Sequence, residues 1–437
     1  MSSPLHAHLE HALRGMPARP LHVGFSGGVD SAALLHLLSG IAAARDAGLS
    51  AIHVHHGLSP QADAWAAHCQ RFCDALGVPL TVLRVEVARD AGDGLEAAAR
   101  KARHAAFDSV LGEDEVLVAA HHRDDQAETF LLRALRASGP DGLGAMRPLR
   151  KFGRCWLWRP LLGVPRAALL AYAQQQGLTW VEDSSNDDIA LDRNYLRHRV
   201  LPLLRARWPH ADAAFALSAA LCAEAGTLLA DEDAVALADV RSVDPNALDV
   251  DKLKRLPMSR RARVLRRWIE ELALPPLPAQ GIAGIEQDLI DAAPDSEAAF
   301  AWSGAVVRRW RGILHADRQY DALPKDWSAQ WDGRAPLDLP GGGRLQLQGA
   351  ASFDAPLRVH ARQGGERIAL PGRGHSHALK NSLQDLGVPP WERSRLPLLS
   401  DGEALLAAGD LLYSAAFDAW LRKREARLIW TPDVRSL

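Results

Sequence analysis

The sequence predicts an α/β protein. A parallel-sheet N-terminal domain comes first, then a helical domain, then a small mixed α+β C-terminal domain. Three observations carry this. From residue 21 to 119, short apolar runs alternate with helix-patterned stretches, as strands buried under helices on both faces do. Residues 210–273 are helical in pattern, with no strand candidates between. After Gly341-Gly342-Gly343, short strands, turns and a helix mix. At 437 residues the chain exceeds what one compact core holds. The boundaries expected are 1–212, 213–330 and 340–437.

The strand candidates in order are 21–25, 51–54, 80–85 and 116–119. The helix candidates between them are 32–44, 62–76 and 95–111. Ligands of a parallel sheet bind outside the carboxyl ends of its strands. The stretch "SGGVDS" (26–31) follows the first strand, and "HHRDDQAET" (121–129) follows the fourth. Both are expected on one edge of the sheet.

Formal net charge is -2, so any nucleic-acid surface must be a local patch. Lys252 to Arg267 holds eight Lys/Arg and no acid. Arg358 to Arg395 holds seven Lys/Arg and three Asp/Glu. Hydropathy gives no apolar run approaching the ~18 residues of a membrane span, so no membrane is expected. The N-terminus does not read as a signal peptide. Four cysteines, Cys69, Cys73, Cys155 and Cys222, make no disulfide framework, and a cytoplasmic location fits.

In "SGGVDS" two glycines allow close backbone approach to a ligand. Successive N–H groups at a helix start favour an anion. Ser26 and Ser31 add hydroxyl donors, while Asp30 suits a Mg²⁺ that bridges to phosphate. The Walker pattern requires a lysine, and none follows here. In the second stretch, Asp125 and Glu128 share a helical face. Acidic residues there also simply offset the helix dipole. Arg100, Lys101 and Arg103 sit together on a third candidate helix, where a solvated basic face is the plain alternative.

"SGGVDS" resembles the signature of the N-type ATP pyrophosphatases, in which the loop holds the pyrophosphate of ATP while the α-phosphate is attacked. Further blocks are similar to those of the tRNA(Ile)-lysidine synthetases. His121 to Thr129 matches H-x-x-D-D-x-x-E-T. Arg136, Ser138, Gly139, Gly142, Leu143 and Met146 match the stretch after it, with Ala137 in place of a glycine. Gly94 to His104 matches G-L-E-x-x-A-R-x-x-R-Y through Glu96, Arg100 and Arg103, with His104 in place of tyrosine. Asn186, Arg193, Asn194 and Arg197 match a fourth block. Arg367, Arg373, Lys380, Arg393 and Arg395 fall in a C-terminal block that also resembles the family's.

The resemblance implies an adenine-nucleotide alpha-hydrolase-like, Rossmann-like catalytic domain. It implies ligation of L-lysine to carbon 2 of the wobble cytidine of an isoleucine tRNA with a CAU anticodon, through an adenylated cytidine. On that reading Ser26, Gly27, Gly28, Val29, Asp30 and Ser31 hold ATP and its pyrophosphate, and Asp30 holds Mg²⁺. Asp125 and Glu128 take the lysine ammonium, and Arg100 completes the catalytic set. Arg103, Arg193, Arg197, Arg260, Arg261, Arg367, Arg373, Lys380, Arg393 and Arg395 contact tRNA. A homodimer is left open.

Three rivals remain. A tRNA thiolation enzyme of the same superfamily would carry C-x-x-C pairs, whereas Cys69 and Cys73 are four apart and read as core. A small-molecule amidotransferase or synthetase would need a glutaminase domain or amide tunnel rather than basic C-terminal modules. A non-catalytic tRNA-binding protein would have no need of intact Asp30, Asp125 and Glu128.

Overall fold

The computed structural model describes residues 3–87, 95–244, 246–278, 280–292, 298–373 and 375–432. Gly94 and the side chains of Glu96 and Asn186, all part of matched blocks, lie outside the described residues. The chain divides into two compact units, residues 1–233 and 234–437.

In the first unit, α1 (Pro4–Arg14) precedes β1 (Leu21–Gly24), which leads into α2 (Val29–Ser39). Then come α3 (Ala42–Asp46), β2 (Leu49–His55), α4 (Ala62–Leu76), β3 (Leu80–Arg84), α5 (Leu95–Val110) and β4 (Val116–Val118). The four strands and three helices expected here are all present, with ends shifted by a few residues. The sequence 32–44 is broken by Gly40 into α2 and α3. After β4 follow α6 (Arg123–Leu135), α7 (Pro140–Leu143), β5 (Leu149–Phe152), β6 (Cys155–Trp158) and α8 (Arg166–Gln175). The hairpin β5–β6 carries no clear strand signal in the sequence, because Lys and Arg fill its exposed face. Helices α9 (Asp192–Tyr195), α10 (Leu201–Arg207) and α11 (Ala211–Val240) close the series.

The sheet order is β3-β2-β1-β4-β6-β5. All pairings are parallel except β5 with β6. The chain moves outward from β1 to β2 and β3, then returns to place β4 on the other side of β1. That reversal leaves a crevice between the carboxyl ends of β1 and β4, where open α/β sheets bind ligands. Helix α2 is apolar nearly all round, and Leu34, Leu35, Leu37 and Leu38 are buried against β1. A helix of this kind can only sit inside the unit, and its rigid N-terminus then faces the crevice.

Helix α11 corrects one expectation. Residues 213–230 hold a single charged residue, so an apolar run of membrane-spanning length does exist. Its mean hydropathy reaches 1.6 and little of it is buried. The run is dominated by alanine, which is why it did not stand out. Phe215 stacks on Phe130 of α6 at 5.7 Å, and Arg147 bonds the Ala223 carbonyl at 2.8 Å.

In the second unit the helical region also carries a sheet. Ala247–Asp249, Ile313–Arg318, Ala305–Trp310 and Ala299–Trp302 pair antiparallel in that order. Helix Met258–Glu271 buries Val264, Leu265, Trp268 and Ile269 in the same core. Beyond residue 323 the C-terminal part is mixed, as expected: a seven-stranded and a three-stranded sheet with short helices.

The end of α6 tests the alanine that stands for glycine. The Ala137 amide reaches the Ala134 carbonyl at 3.0 Å, and the Ser138 amide reaches that of Arg133 at 3.1 Å. This is the Schellman pattern, whose closing residue is left-handed and usually glycine. Ala137 has φ 53° there. The Cβ clash costs an L-residue roughly 1–2 kcal/mol, partly offset by glycine's larger unfolded-state entropy. Ala137→Gly is therefore expected to raise stability by about 1 kcal/mol, read as an increased urea midpoint at unchanged slope.

Candidate active site

The loop 26–31 leaves β1 and turns directly into α2, with Gly28 as the N-cap. No side chain caps this helix, so its first N–H groups remain available to an anion. Ser31 Oγ donates to the Gly28 carbonyl at 3.0 Å and lies 3.1 Å from Ser26 Oγ. The hydroxyls therefore set the curvature of the loop as well as lining it. Gly27 has φ +85°, and its carbonyl accepts the Val181 amide at 2.9 Å. A Cβ at Gly27 would come to 3.0 Å from Cys69 Sγ. Beneath the loop, buried His53 donates from Nδ1 to the Phe25 carbonyl at 2.9 Å. Cys69 and Cys73 are fully buried, and burial pushes both thiols up to about 12, so neither is a nucleophile.

Asp30 stands in the first turn of α2. Its Oδ2 lies 3.5 Å from Arg166 Nε and 3.7 Å from His122 Nε2. Its Oδ1 is buried and has no hydrogen-bond partner among the described residues. One oxygen of this carboxylate thus lies near two cationic side chains, while the other has no partner among the described residues.

Across the crevice, α6 begins with a capping box built on a histidine. The Asp125 amide donates to His122 Nδ1 at 3.3 Å, and the His122 amide donates to Asp125 Oδ2 at 3.0 Å. One turn on, Glu128 is only 1% exposed. Two arginines meet these carboxylates. Arg193 donates from Nε to Glu128 Oε2 at 2.7 Å and from a terminal nitrogen to Asp125 Oδ1 at 3.0 Å. Arg197 donates from Nε to Glu128 Oε1 at 2.7 Å and reaches Asp125 Oδ1 at 3.2 Å. A wide π-turn at 196–200 follows Arg193, and Asn194 fastens the preceding loop through the Ser185 and Asp188 carbonyls, both at 3.0 Å. Asp124 points elsewhere, accepting the Arg166 amide at 2.9 Å and Arg205 at 3.0 Å.

Burial pushes Asp125 up, but His122, Arg193 and His121 outweigh it and hold the carboxyl below its usual range. Burial likewise lowers His122, yet the bond to Asp30 and the charges of Asp125, Asp30 and Asp124 raise it overall. For Arg197, burial is opposed by Glu128 and Asp125, and the net shift is upward. Arg197 and the Asp125 carboxylate therefore stabilise each other's ionised forms.

Arg100 and Arg103 on α5 are exposed, as are the basic residues of the β5–β6 hairpin near them. Arg159 is buried and is held to about 10 by burial and by the charges of Arg150, Arg100 and Arg133. It donates to His121 Nδ1 at 3.3 Å and to the Arg147 carbonyl at 2.9 Å. The wall on this side of the crevice is therefore cationic up to the carboxylate cluster.

Comparison with known proteins decides the family. A PP-loop domain model matches residues 1–204, a TilS substrate binding domain model matches 248–315, and a TilS substrate C-terminal domain model matches 357–430. A tRNA(Ile)-lysidine synthase of Xanthomonas axonopodis pv. citri is 56% identical over 420 residues, covering 96% of this chain and 95% of that protein. The chain belongs to the tRNA(Ile)-lysidine synthase family. Another member, from Xylella fastidiosa Temecula1, is 52% identical over 95% of both chains. Among solved structures, the U34-tRNA thiolase NcsA of Methanococcus maripaludis is 16% identical, with a TM-score of 0.39 over 49% of this chain and 77% of that one.

Several residues expected to face tRNA have other partners. Arg193 and Arg197 point inward to the carboxylates, as described. In the second unit Arg261 is tied to Glu286 at 2.9 Å and to the Leu256 carbonyl at 3.1 Å. Arg393 is buried and donates to the Val388 carbonyl at 2.7 Å. Arg395 lies 4.1 Å over the Tyr320 ring and bonds the Pro432 carbonyl, and Arg367 bonds Ser376 Oγ at 3.0 Å. Each of these four guanidiniums has at least one intramolecular acceptor in this structure. Arg260 is half-buried, while Arg373 and Lys380 are exposed. His122, Arg166 and His53 went unnoticed in the sequence. A histidine at an N-cap has no propensity signal, since Ser, Thr, Asp and Asn dominate that position.

At the position where this synthase family usually has tyrosine, His104 packs edge-on against Phe152 at 5.0 Å. Burial and the charges of Arg100 and Arg103 lower it to about 4. Between about pH 6.5 and 4 the unfolded chain then binds a proton that the folded chain does not, so stability falls as pH falls. His104→Phe should reduce that loss by on the order of 1 kcal/mol at pH 5, read from urea midpoints at pH 7 and pH 5. Glu128→Gln leaves two guanidiniums short of a buried countercharge. It should cost about 3 kcal/mol in the same assay at pH 7.

Proposed function

We propose that this chain ligates L-lysine to carbon 2 of the wobble cytidine of a CAU-anticodon isoleucine tRNA, consuming ATP. The observation that carries the reading is the pairing, across one crevice, of a lysine-free phosphate loop with the Asp125–Glu128 carboxylates, in a chain of this family. The cytosine carbonyl oxygen is a poor leaving group. Its attack on the α-phosphorus of ATP forms an O–P bond and breaks the α–β bridge, releasing pyrophosphate. The lysine ammonium passes a proton to the Asp125–Glu128 pair, the freed amine forms a C–N bond at carbon 2, AMP departs with the oxygen, and the nitrogen's second proton goes to water.

The uncapped start of α2, with Ser26 and Ser31, is suited to the pyrophosphate group. Mg²⁺ fits at Asp30, whose Oδ1 is buried and unpartnered while Oδ2 is fixed. Bound there, the ion supplies charge neutralisation on the phosphates. Free lysine has a pKa near ~10.4 and arrives as an ammonium. Asp125 and Glu128 receive it by exchange, since both are already bonded to Arg193 and Arg197. One guanidinium withdraws as the ammonium enters, which keeps the cluster's charge unchanged. A withdrawn Arg193 or Arg197 is then available to RNA phosphate, in line with the role the sequence suggests. Arg100 and Arg103 line the cationic wall for the anticodon backbone.

Purified protein with ATP, Mg²⁺, labelled lysine and unmodified CAU-anticodon isoleucine tRNA should incorporate lysine, and the methionine tRNA should not. Absence of incorporation rejects the reading. Asp30→Ala is expected to abolish pyrophosphate release. Glu128→Gln is expected to weaken lysine use at least tenfold more than adenylation. Equal loss of both steps would reject the division of roles between the two carboxylate sites.

A further inference from the structure

We infer that His122 is a positioning residue that fixes the nucleotide-side carboxylate Asp30 and the amine-side carboxylate Asp125 to one another. The inference builds on the proposed ligation, because it concerns how two half-reactions share one crevice. His122 is 2% exposed and so does not itself meet a substrate. Three carboxylates from two helices surround its ring. Nε2 lies 3.3 Å from Asp125 Oδ2 and 3.7 Å from Asp30 Oδ2, and Nδ1 lies 3.8 Å from Asp124 Oδ2.

Each of the two functional carboxylates turns one oxygen toward this imidazole and keeps the other for a different task. Asp125 gives Oδ1 to Arg193 and Arg197. Asp30 keeps Oδ1 buried and unpartnered. The ring thus lies beside Oδ2 of both carboxylates, with the His122 amide also on Asp125 Oδ2 at 3.0 Å and Arg166 Nε also near Asp30 Oδ2 at 3.5 Å. Helix capping alone does not account for it. Capping uses only Nδ1, which Asn would replace, whereas the link between helices needs Nε2. The two strands that deliver these helices, β1 and β4, are hydrogen-bonded neighbours, so the helix starts that carry Asp30 and His122 stand side by side.

Two substitutions separate the functions of the ring. His122→Asn keeps an acceptor for the Asp125 amide and removes the Nε2 edge. His122→Gln carries a donor toward the Nε2 position and removes the cap. Binding of Mg²⁺ with a non-hydrolysable ATP analogue is measured by calorimetry for wild type, Asp125→Asn, His122→Asn and the double variant. Asp125→Asn is expected to change the analogue Kd at least threefold in the wild-type background and not in the His122→Asn background. Additive effects would overturn the inference, whether or not lysine is the amine. In the full reaction, wild type should release one pyrophosphate per lysine incorporated. His122→Asn should fold with an unchanged urea midpoint, lose at least tenfold in kcat with little change in KM, and release excess pyrophosphate. His122→Gln should return the ratio toward one. A His122→Asn enzyme with wild-type kcat and ratio shows a cap only and overturns the proposal. A wild-type enzyme that incorporates no lysine rejects the ligation reading, and the binding cycle still decides the role of His122.

Discussion

Two carboxylates one helical turn apart are buried beside each other in this protein, and the site depends on how they are neutralised. Left alone, Asp125 and Glu128 would repel each other across one helical turn. Arg193 and Arg197 prevent that from more than sixty residues away, with short bonds to both acids. The requirement propagates outward. The arginines need a backbone that returns to the crevice, which the π-turn at 196–200 and the Asn194 clamp provide. The carboxylates need a rigid helix start, which the His122 capping box provides. The crevice needs β1 and β4 side by side, which the reversal of strand order provides. Replacing the four charges by apolar residues would probe whether the cluster serves function rather than stability, since buried ion pairs often add little net stability.

The two sides of the crevice use backbone differently. At the start of α2 the backbone amides have no side-chain cap and belong to a helix packed into the core, so they are fixed with it. At the start of α6 the groups that meet the carboxylates are long side chains, which can rearrange. The first favours a fixed geometry for in-line displacement, and the second allows a charged substrate to enter a site that is already neutral.

Much of this was readable in the sequence, for a physical reason. Strand and helix periods between residues 21 and 119 follow from two-sided burial, so Leu21–Gly24, Leu80–Arg84 and Ala62–Leu76 emerge close to their true limits. The glycines of the loop and the Asp125–Glu128 spacing are local patterns and were equally visible. The partners of those acids were not. Arg193 and Arg197 read as surface cations, because sequence shows a charge but not its direction. The strands near residue 300 were hidden by short length and by arginines at Arg308 and Arg309, the second of which is buried on the Leu289, Ile290 and Ala292 carbonyls. The alanine richness of α11 conceals an apolar run for the opposite reason, since its few large apolar residues, such as Phe215 and Leu217, are diluted by alanines.

The close approach of Cys69 to Gly27 has an evolutionary consequence. The floor of the phosphate loop is a small thiol, and Sγ already stands 3.0 Å from where a Cβ at Gly27 would be. A larger side chain at position 69 would leave still less room for any Cβ at position 27. Positions 27 and 69 are therefore bound to drift together. Lineages of this fold should keep glycine above a small residue, and a bulky residue at 69 should appear only where the loop has already lost its nucleotide.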